Sequence, residues 1–384
     1  MEASIDRFLT THAGSLPRSD ELVSLQVSQY RGDSIETDEL ERAVEASTRF
    51  VIAQQAASGI DIGNNGEQAR ESFFTYVQHR MSGFAGESQR PPMQDMVRYP
   101  SWIRLKLPGY QSGVSLVQAP QAQGEVSYIN RAPLVKELSD FAAVLGEEGN
   151  PFVETFVTAP SPGIIAAAME DKHYGDLDAY IDALAAALKV EYEAIHQAGH
   201  VLQLDCPDLA MERHTYFADA DDATFIRFID KVISAMDAAL SDVPKDRVRM
   251  HVCWGNYEGP HHCDIGLEKI LKIIVKAKPS AISVEAANPR HAHEWAVLQE
   301  FGLPDDKILI PGLIDSTSNY VEHPELVAQR IQRFAEIIGR ERVIAGVDCG
   351  FGTFAGIGKV DPKICHLKLK ALAEGAGLAS ERLW

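Results

Sequence analysis

Short, largely apolar runs alternate along the chain with longer segments whose apolar residues recur at helical spacing. The runs at 9–13, 60–63, 152–158, 201–205, 249–253, 281–285, 307–311 and 343–348 predict eight strands. Segments 179–197, 223–240, 267–277 and 325–338 carry the helical pattern. Glycine and proline collect where the runs stop, at Gly14, Gly63, Pro160, Pro207, Gly255, Pro289, Gly312 and Gly350. Strands that alternate with helices imply parallel βαβ units, and eight of them make an α/β chain of the (β/α)8 barrel (TIM barrel) class. The alternative is an open doubly wound sheet. Against it, the first run leads into H-A-G-S-L-P at 12–17 instead of G-x-G-x-x-G. Residues 85–150 fit no barrel unit, and they predict an inserted lid or hairpin between strands 2 and 3. They include W-I-R-L-K-L-P-G-Y at 102–110 and a stretch rich in Gln, Ser and Gly at 118–124. No internal repeat is visible, so residues 1–384 read as one domain with an insertion.

Composition narrows the function classes. The 384 residues hold 36 Lys plus Arg against 55 Asp plus Glu, a formal charge of −19, with no concentrated basic patch. Such a chain repels nucleic acid and anionic membrane surfaces. No run reaches the roughly 18 apolar residues of a membrane span, and the first residues lack the pattern of a secretory signal. Five Cys, at 206, 253, 263, 349 and 365, are too few and too odd for a disulfide framework. These features predict a cytoplasmic protein with free thiols, and they leave a homo-oligomer open.

In a barrel the chemistry sits at the C-terminal ends of the strands. Here those ends carry His12–Ser15, Asn64–Glu67, Asp205-Cys206, His251-x-Cys253, Glu285, Asp315 and Asp348-Cys349. His251 and Cys253, two apart on one strand, face the same side, and Cys349 and Glu285 stand at other strand ends where they can complete a four-coordinate site. Thiolate, imidazole and carboxylate together suit Zn²⁺ better than Mg²⁺ or Ca²⁺. Ligands drawn from several strands describe an open site that accepts substrate. A zinc ion rich in thiolate is a weak activator of water, but it keeps a bound substrate thiol deprotonated. The chemistry predicted is S-alkylation of a thiol. By contrast, His261-His262-Cys263 reads as a partly solvated loop, Cys365 as buried packing, and Trp254 and Tyr257 as pocket walls.

T-H-A-G-S-L-P-R at 11–18, N-G-E at 65–67, Q-L-D-C-P at 203–207, H-V-C-W-G-N-Y-E-G-P-H at 251–261 and G-V-D-C-G at 346–350 form an ordered series over nearly the whole chain. The series resembles the catalytic barrel of cobalamin-independent methionine synthases in a short, single-barrel form. The resemblance implies zinc on His251, Cys253, Cys349 and Glu285. It implies a homocysteine carboxylate met by Gly14 and Ser15, and an ammonium met by Glu67 and Asp205. The partners implied are a small-molecule thiol and an alkyl donor.

The departures fall on the donor side. Cys206 stands where the family has a second acid, and Ile314-Asp315-Ser316 stands where it has a proton-donating His, which leaves Asp315 or His323 for that proton. The family's folate-binding tryptophan segment is replaced by T-A-P-S-P-G at 158–163. The N-terminal half that helps the long enzymes bind polyglutamyl folate has no counterpart. The same family contains epoxyalkane:coenzyme M transferases, the alternative reading, for which Arg18 is the candidate partner of a sulfonate. Retained Glu67 and Asp205 favour a thiol that bears an amine. A metal-free decarboxylase would leave His251, Cys253 and Cys349 without a role, and a zinc-buffering protein would need no donor pocket.

Overall fold

A computed structural model describes residues 1–110, 113–114 and 119–384, with the side chains of 107–110 and 148 left aside. Gln118, the start of the Gln-, Ser- and Gly-rich stretch, lies outside the described residues. Six parallel strands form one sheet in chain order: β1 (Ile62–Gly63), β2 (Glu154–Pro160), β3 (Val201–Asp205), β4 (Val248–Val252), β5 (Ala281–Val284) and β6 (Ile308–Pro311). Parallel neighbours need helical crossovers. Leu177–Gln197, Asp222–Ala239 and Leu267–Ile274 supply three of them and Pro324–Ile338 leads from β6 to residues 343–346, each within three residues of its predicted bounds. The Asp221 side chain caps its helix by accepting the Thr224 N–H at 2.8 Å.

The first and last predicted strands are present only as single parallel bridges. Thr10 pairs with Ala345, Thr11 with Ile62, Leu309 with Val343, and Gly312 with Gly346. The backbone bridges thus run from β6 through 343–346 and 10–11 back to β1. In the first of these segments, 9–13, side chains take two of the ladder donors. The Leu9 N–H donates to Ser4 Oγ at 3.0 Å and the Thr10 N–H to Asp61 Oδ2 at 2.9 Å. Leu9, Ile62, Phe156, Val201, Ala281, Ile310 and Ile344 from around this circuit form one buried cluster, and a larger core packs the helices outside it.

Residues 85–150 include the helix Pro100–Tyr110 and three further parts. Phe84–Ala85 pairs antiparallel with Gln121–Ala122, the short helix Gln94–Arg98 follows the first of these strands, and Ala132–Glu148 is a long helix leading into β2. That last helix buries Leu134, Leu138, Phe141, Val144 and Leu145 in the main core. It packs as a crossover helix does and is no excursion. Among the described residues no helix is long and apolar enough to cross a membrane.

Candidate functional site

The sheet register sets the first part of the site. Asp205 on β3 pairs with His251 on β4, which pairs with Ser283 on β5. The Ser283 hydroxyl lies 3.0 Å from His251 Nδ1, which turns Nε2 towards Cys349 Sγ at 3.5 Å. The donor atoms of His251, Cys253 and Cys349 all lie within 4.8 Å of one another, and all three residues are buried. Hydrogen bonding to Cys349 holds the Cys253 thiol well below its ordinary range; burial opposes this and His251 adds to it. The same bond, with burial, pushes Cys349 well up. The two sulfurs are therefore coupled through one hydrogen bond beside an imidazole. Two soft sulfurs and a nitrogen already oriented by an outer hydroxyl fit a thiophilic divalent ion.

Glu285 follows β5 and sits beside this trio. Its Oε1 accepts the Trp254 N–H at 2.8 Å and its Oε2 the Asn288 amide at 3.0 Å. Burial, with Asp348 and Cys253 nearby, pushes its carboxyl up to about 8. Asp348 holds the turn beneath it, accepting the Ala286 and Ala287 N–H groups at 2.9 Å and that of Asn288 at 2.6 Å. Gly312 makes room for this, since a Cβ there would stand 2.1 Å from Asp348 Oδ1. The structure thus gathers three of the four expected ligands and engages the fourth, Glu285, with the Trp254 N–H and the Asn288 amide.

The acidic pair opens into the same cavity of about 410 Å³, which Ser15, Glu67, Asp205, His251, Cys253 and Cys349 line together. Glu67 has a left-handed backbone, φ 58°, which aims its side chain inward. Its Oε1 accepts from Thr158 Oγ1 at 2.9 Å, while its buried Oε2 has no partner. Gly14 permits this approach: it has φ 123°, and a Cβ would lie 2.6 Å from Glu67 Oε1. Asp205 Oδ1 accepts from Gln203 at 2.7 Å. Burial and the charge of Glu67 push Asp205 up to about 8, and burial likewise raises Glu67 against the pull of Arg70 and Arg18. Two buried carboxylates that repel each other are stabilised by a cation placed between them.

Other expected residues stand elsewhere. Arg18 is buried and gives its guanidinium to the carbonyls of Gly352, Glu67 and Arg70, with the last at 2.6 Å. It ties the 67–70 loop to Gly352 and does not line the cavity. Trp254 is fully buried, donates Nε1–H to Ile265 O at 2.6 Å, and stacks on His291 with ring centres 3.9 Å apart. Tyr257, not Trp254, reaches the cavity wall. Asp315 Oδ1 accepts from the Thr317 N–H and hydroxyl, and His323 is exposed as the cap of Pro324–Ile338. Neither lines the cavity. Cys206 packs against Met236 in the core, and Cys365 is buried as expected.

Sequence reasoning missed several residues. Ser283 orients His251, and Thr158 orients Glu67. Both sit on strands two or fewer positions from a strand end, which is the signal that could have found them. Lys359 lines a small pocket that shares Asn256, Gly350, Thr353 and Phe354 with the main cavity, and burial lowers its ammonium to about 8. Phe73, Pro91, Pro92, Met93, Met96, Met211 and Phe354 form an apolar wall facing the polar one.

The model of the cobalamin-independent synthase catalytic domain matches residues 8–362. The methionine synthase of Saccharolobus solfataricus is 22% identical over 377 residues, covering 97% of this chain and 95% of its own length. The 5-methyltetrahydropteroyltriglutamate–homocysteine methyltransferase of Vibrio harveyi is 21% identical over 351 residues, 90% of this chain but 40% of the longer protein. Among solved structures, the B12-independent methionine synthase from Shewanella sp. W3-18-1 is 19% identical and shares the fold with TM-score 0.74, covering 98% of this chain and 99% of that one. With the match extending over nearly all of its length, the chain belongs to the family of the cobalamin-independent synthase catalytic domain.

Proposed function

We propose that this chain is a zinc-dependent methyltransferase that moves a methyl group onto the thiol of homocysteine to give methionine. One observation carries the reading: a Cys-Cys-His donor set and a repelling pair of buried carboxylates line the same cavity. The first suits a sulfur atom and the second an ammonium, and homocysteine presents both. His251, Cys253 and Cys349 would hold the metal, with Glu285 beside them as the carboxylate of the donor set. When bound, zinc keeps the incoming sulfur deprotonated at neutral pH.

The chain's own residues do the rest. Glu67 Oε2 and Asp205 take the substrate ammonium, and Ser15 stands on the side of the substrate carboxylate. The apolar wall of Phe73, Met93, Met96, Met211 and Phe354 seats the donor opposite. Held in line, the sulfur forms its bond to the methyl carbon as the bond from that carbon to the donor breaks. The electron pair leaves with the donor and takes up a proton, which we assign to Lys359 because it lines the small pocket that shares four residues with the cavity, whereas Asp315 and His323 line neither. The circuit of parallel bridges supports reading the fold as one closed (β/α)8 domain, with residues 90–96 as its donor-side lid. Coenzyme M has no amine and would leave Glu67 and Asp205 unanswered, so the epoxide-opening alternative takes second place.

X-ray absorption on the zinc-loaded protein tests this. Homocysteine should add one sulfur ligand, and coenzyme M should add none. A gain with coenzyme M alone, or no change with either thiol, would overturn the reading.

A further inference from the structure

Behind Trp254 lies a second cluster that the proposed reaction does not use. The carboxylate of Asp264 receives His261 Nδ1 at 2.7 Å and His291 Nε2 at 2.9 Å, both on Oδ2. The outer nitrogen of each ring is also held, His261 Nε2 by Tyr257 O at 3.0 Å and His291 Nδ1 by Glu294 Oε2 at 2.9 Å. Glu294 is itself fixed, accepting the Leu267 N–H at 2.8 Å. The other Asp264 oxygen has no hydrogen-bond partner. Facing it at 3.4 Å is Nε2 of His214, a residue 2% exposed with both ring nitrogens unpartnered.

We propose that His261, Asp264 and His291, with His214 as a fourth donor, form a second metal site for a divalent first-row transition ion of the Zn²⁺ or Co²⁺ type. Metal-bound histidines almost always give their other N–H to a carboxylate or carbonyl, and both rings here already do so. Three imidazoles and a carboxylate are a nitrogen and oxygen set that such ions accept. The charge also balances. With no ion present, all four ring nitrogens of His261 and His291 face acceptors, so each ring must carry two protons. One divalent ion replaces the two inner protons and leaves the charge of the buried group unchanged. Tetrahedral bonds of about 2.1 Å separate ligand atoms by about 3.4 Å, so the His261 ring backs away from Asp264 by about 0.7 Å and the His291 ring by about 0.5 Å. The ion would pin the 254–264 loop, which carries Tyr257 to the cavity, against the 288–294 turn that follows Glu285.

The test is metal counting on the full chain, stripped by chelation and reloaded with Co²⁺. Thiolate ligands give cobalt an intense near-ultraviolet charge-transfer band, which nitrogen and oxygen ligands lack. The wild type should bind two ions and show that band. Cys253→Ser/Cys349→Ser should keep one ion, with visible cobalt absorption but no thiolate band. His261→Gln/His291→Gln should also keep one, with the thiolate band intact. If the cysteine variant, folded by circular dichroism, binds no cobalt, the second site does not exist, and this holds even if the histidine variant fails to fold. An ion retained there while the wild type lacks the thiolate band would sink the Cys-Cys-His reading and leave this one standing.

Discussion

The cavity has two walls built on different principles. On one side Asp205, His251 and Ser283 occupy one row of sheet register, and Glu67, Cys253 and Cys349 close round them. Each polar group there is buried and aimed by a named neighbour: Ser283 for His251, Thr158 for Glu67, Gln203 for Asp205. On the other side Pro91, Pro92, Met93 and Met96 come from a segment outside the sheet, joined by Phe73, Met211 and Phe354. Apolar contact there is non-directional, and methionine adapts its shape to what it meets. The first wall demands one substrate geometry, whereas the second asks only for a shape. A family can therefore keep its thiol and change its donor by altering the second wall alone.

The largest effect should come from the polar wall's donor set. Cys253→Ser/Cys349→Ser should lose the thiolate-bound ion and turnover together, measured as metal content and methionine formed; turnover without that ion would break the contrast. Next, Glu67→Gln removes one charge of the buried pair to which the proposed function gives the substrate ammonium. It should cost about 2–5 kcal/mol, or roughly 30-fold and upward in kcat/KM for homocysteine. The loss should vanish for a thiol that lacks the amine. Equal losses with both thiols would show that Glu67 supports the wall and reads nothing.

The polar wall also rests on a charge network beneath it. Glu137, on the 132–148 helix, binds Arg70 and Arg80, and Arg70 in turn donates to Thr158 O at 2.9 Å. Burial alone would raise the Glu137 carboxyl, but the two guanidinium groups prevail and bring it from 4.5 to about 2. Because the folded value lies below the ordinary one, its stabilisation is complete above pH 4.5 and fades as pH falls towards 2. The full difference is about 3 kcal/mol. Thermal melts between pH 6 and pH 2 should show Glu137→Gln losing the wild type's acid-dependent part of Tm. Parallel curves for the two proteins would remove this support.

How much of this was legible in the sequence also divides along the two walls. His251-x-Cys253, Glu67, Asp205 and Cys349 could be placed because strand alternation puts i and i+2 on one face and parallel topology puts strand ends together. Trp254 was misplaced by the same logic: it is the next residue on, and it turns its ring into the core against His291. Arg18 looked free because no pattern in the sequence shows three carbonyls from 67, 70 and 352 meeting at one guanidinium. His261 was read as partly solvated, yet it is buried on Asp264, and its partner His291 is thirty residues on. The long helix at 132–148 was masked by the irregular residues before it. The apolar wall carried no signal, because prolines and methionines at 91–96 have no period and no charge to give them a side.

Ser283→Ala tests whether the outer hydroxyl matters to the ion. Removing such a partner of a ligating histidine typically costs 10–100-fold in metal affinity. A competitive chelator titration should therefore show weaker zinc with the fold unchanged. Unchanged affinity would mean that the backbone register alone orients the imidazole.

The smallest effect should come from the apolar wall, and it is the one that sharpens the contrast most. Met93→Ala or Met96→Ala removes several methylene-sized groups from a surface with no polar partner to lose, at a cost of about 1–2 kcal/mol of donor binding. The neighbouring side chains share the wall and can close in, so this is an upper range. The loss should fall on the KM for the donor, while the KM for homocysteine and the sulfur shell of the zinc stay as they were. A bulkier donor should even gain relative to a small one to the extent that the vacated space stays open. If homocysteine binding weakened to the same degree, the two walls would be one coupled surface, and donor and thiol could not vary independently in this fold.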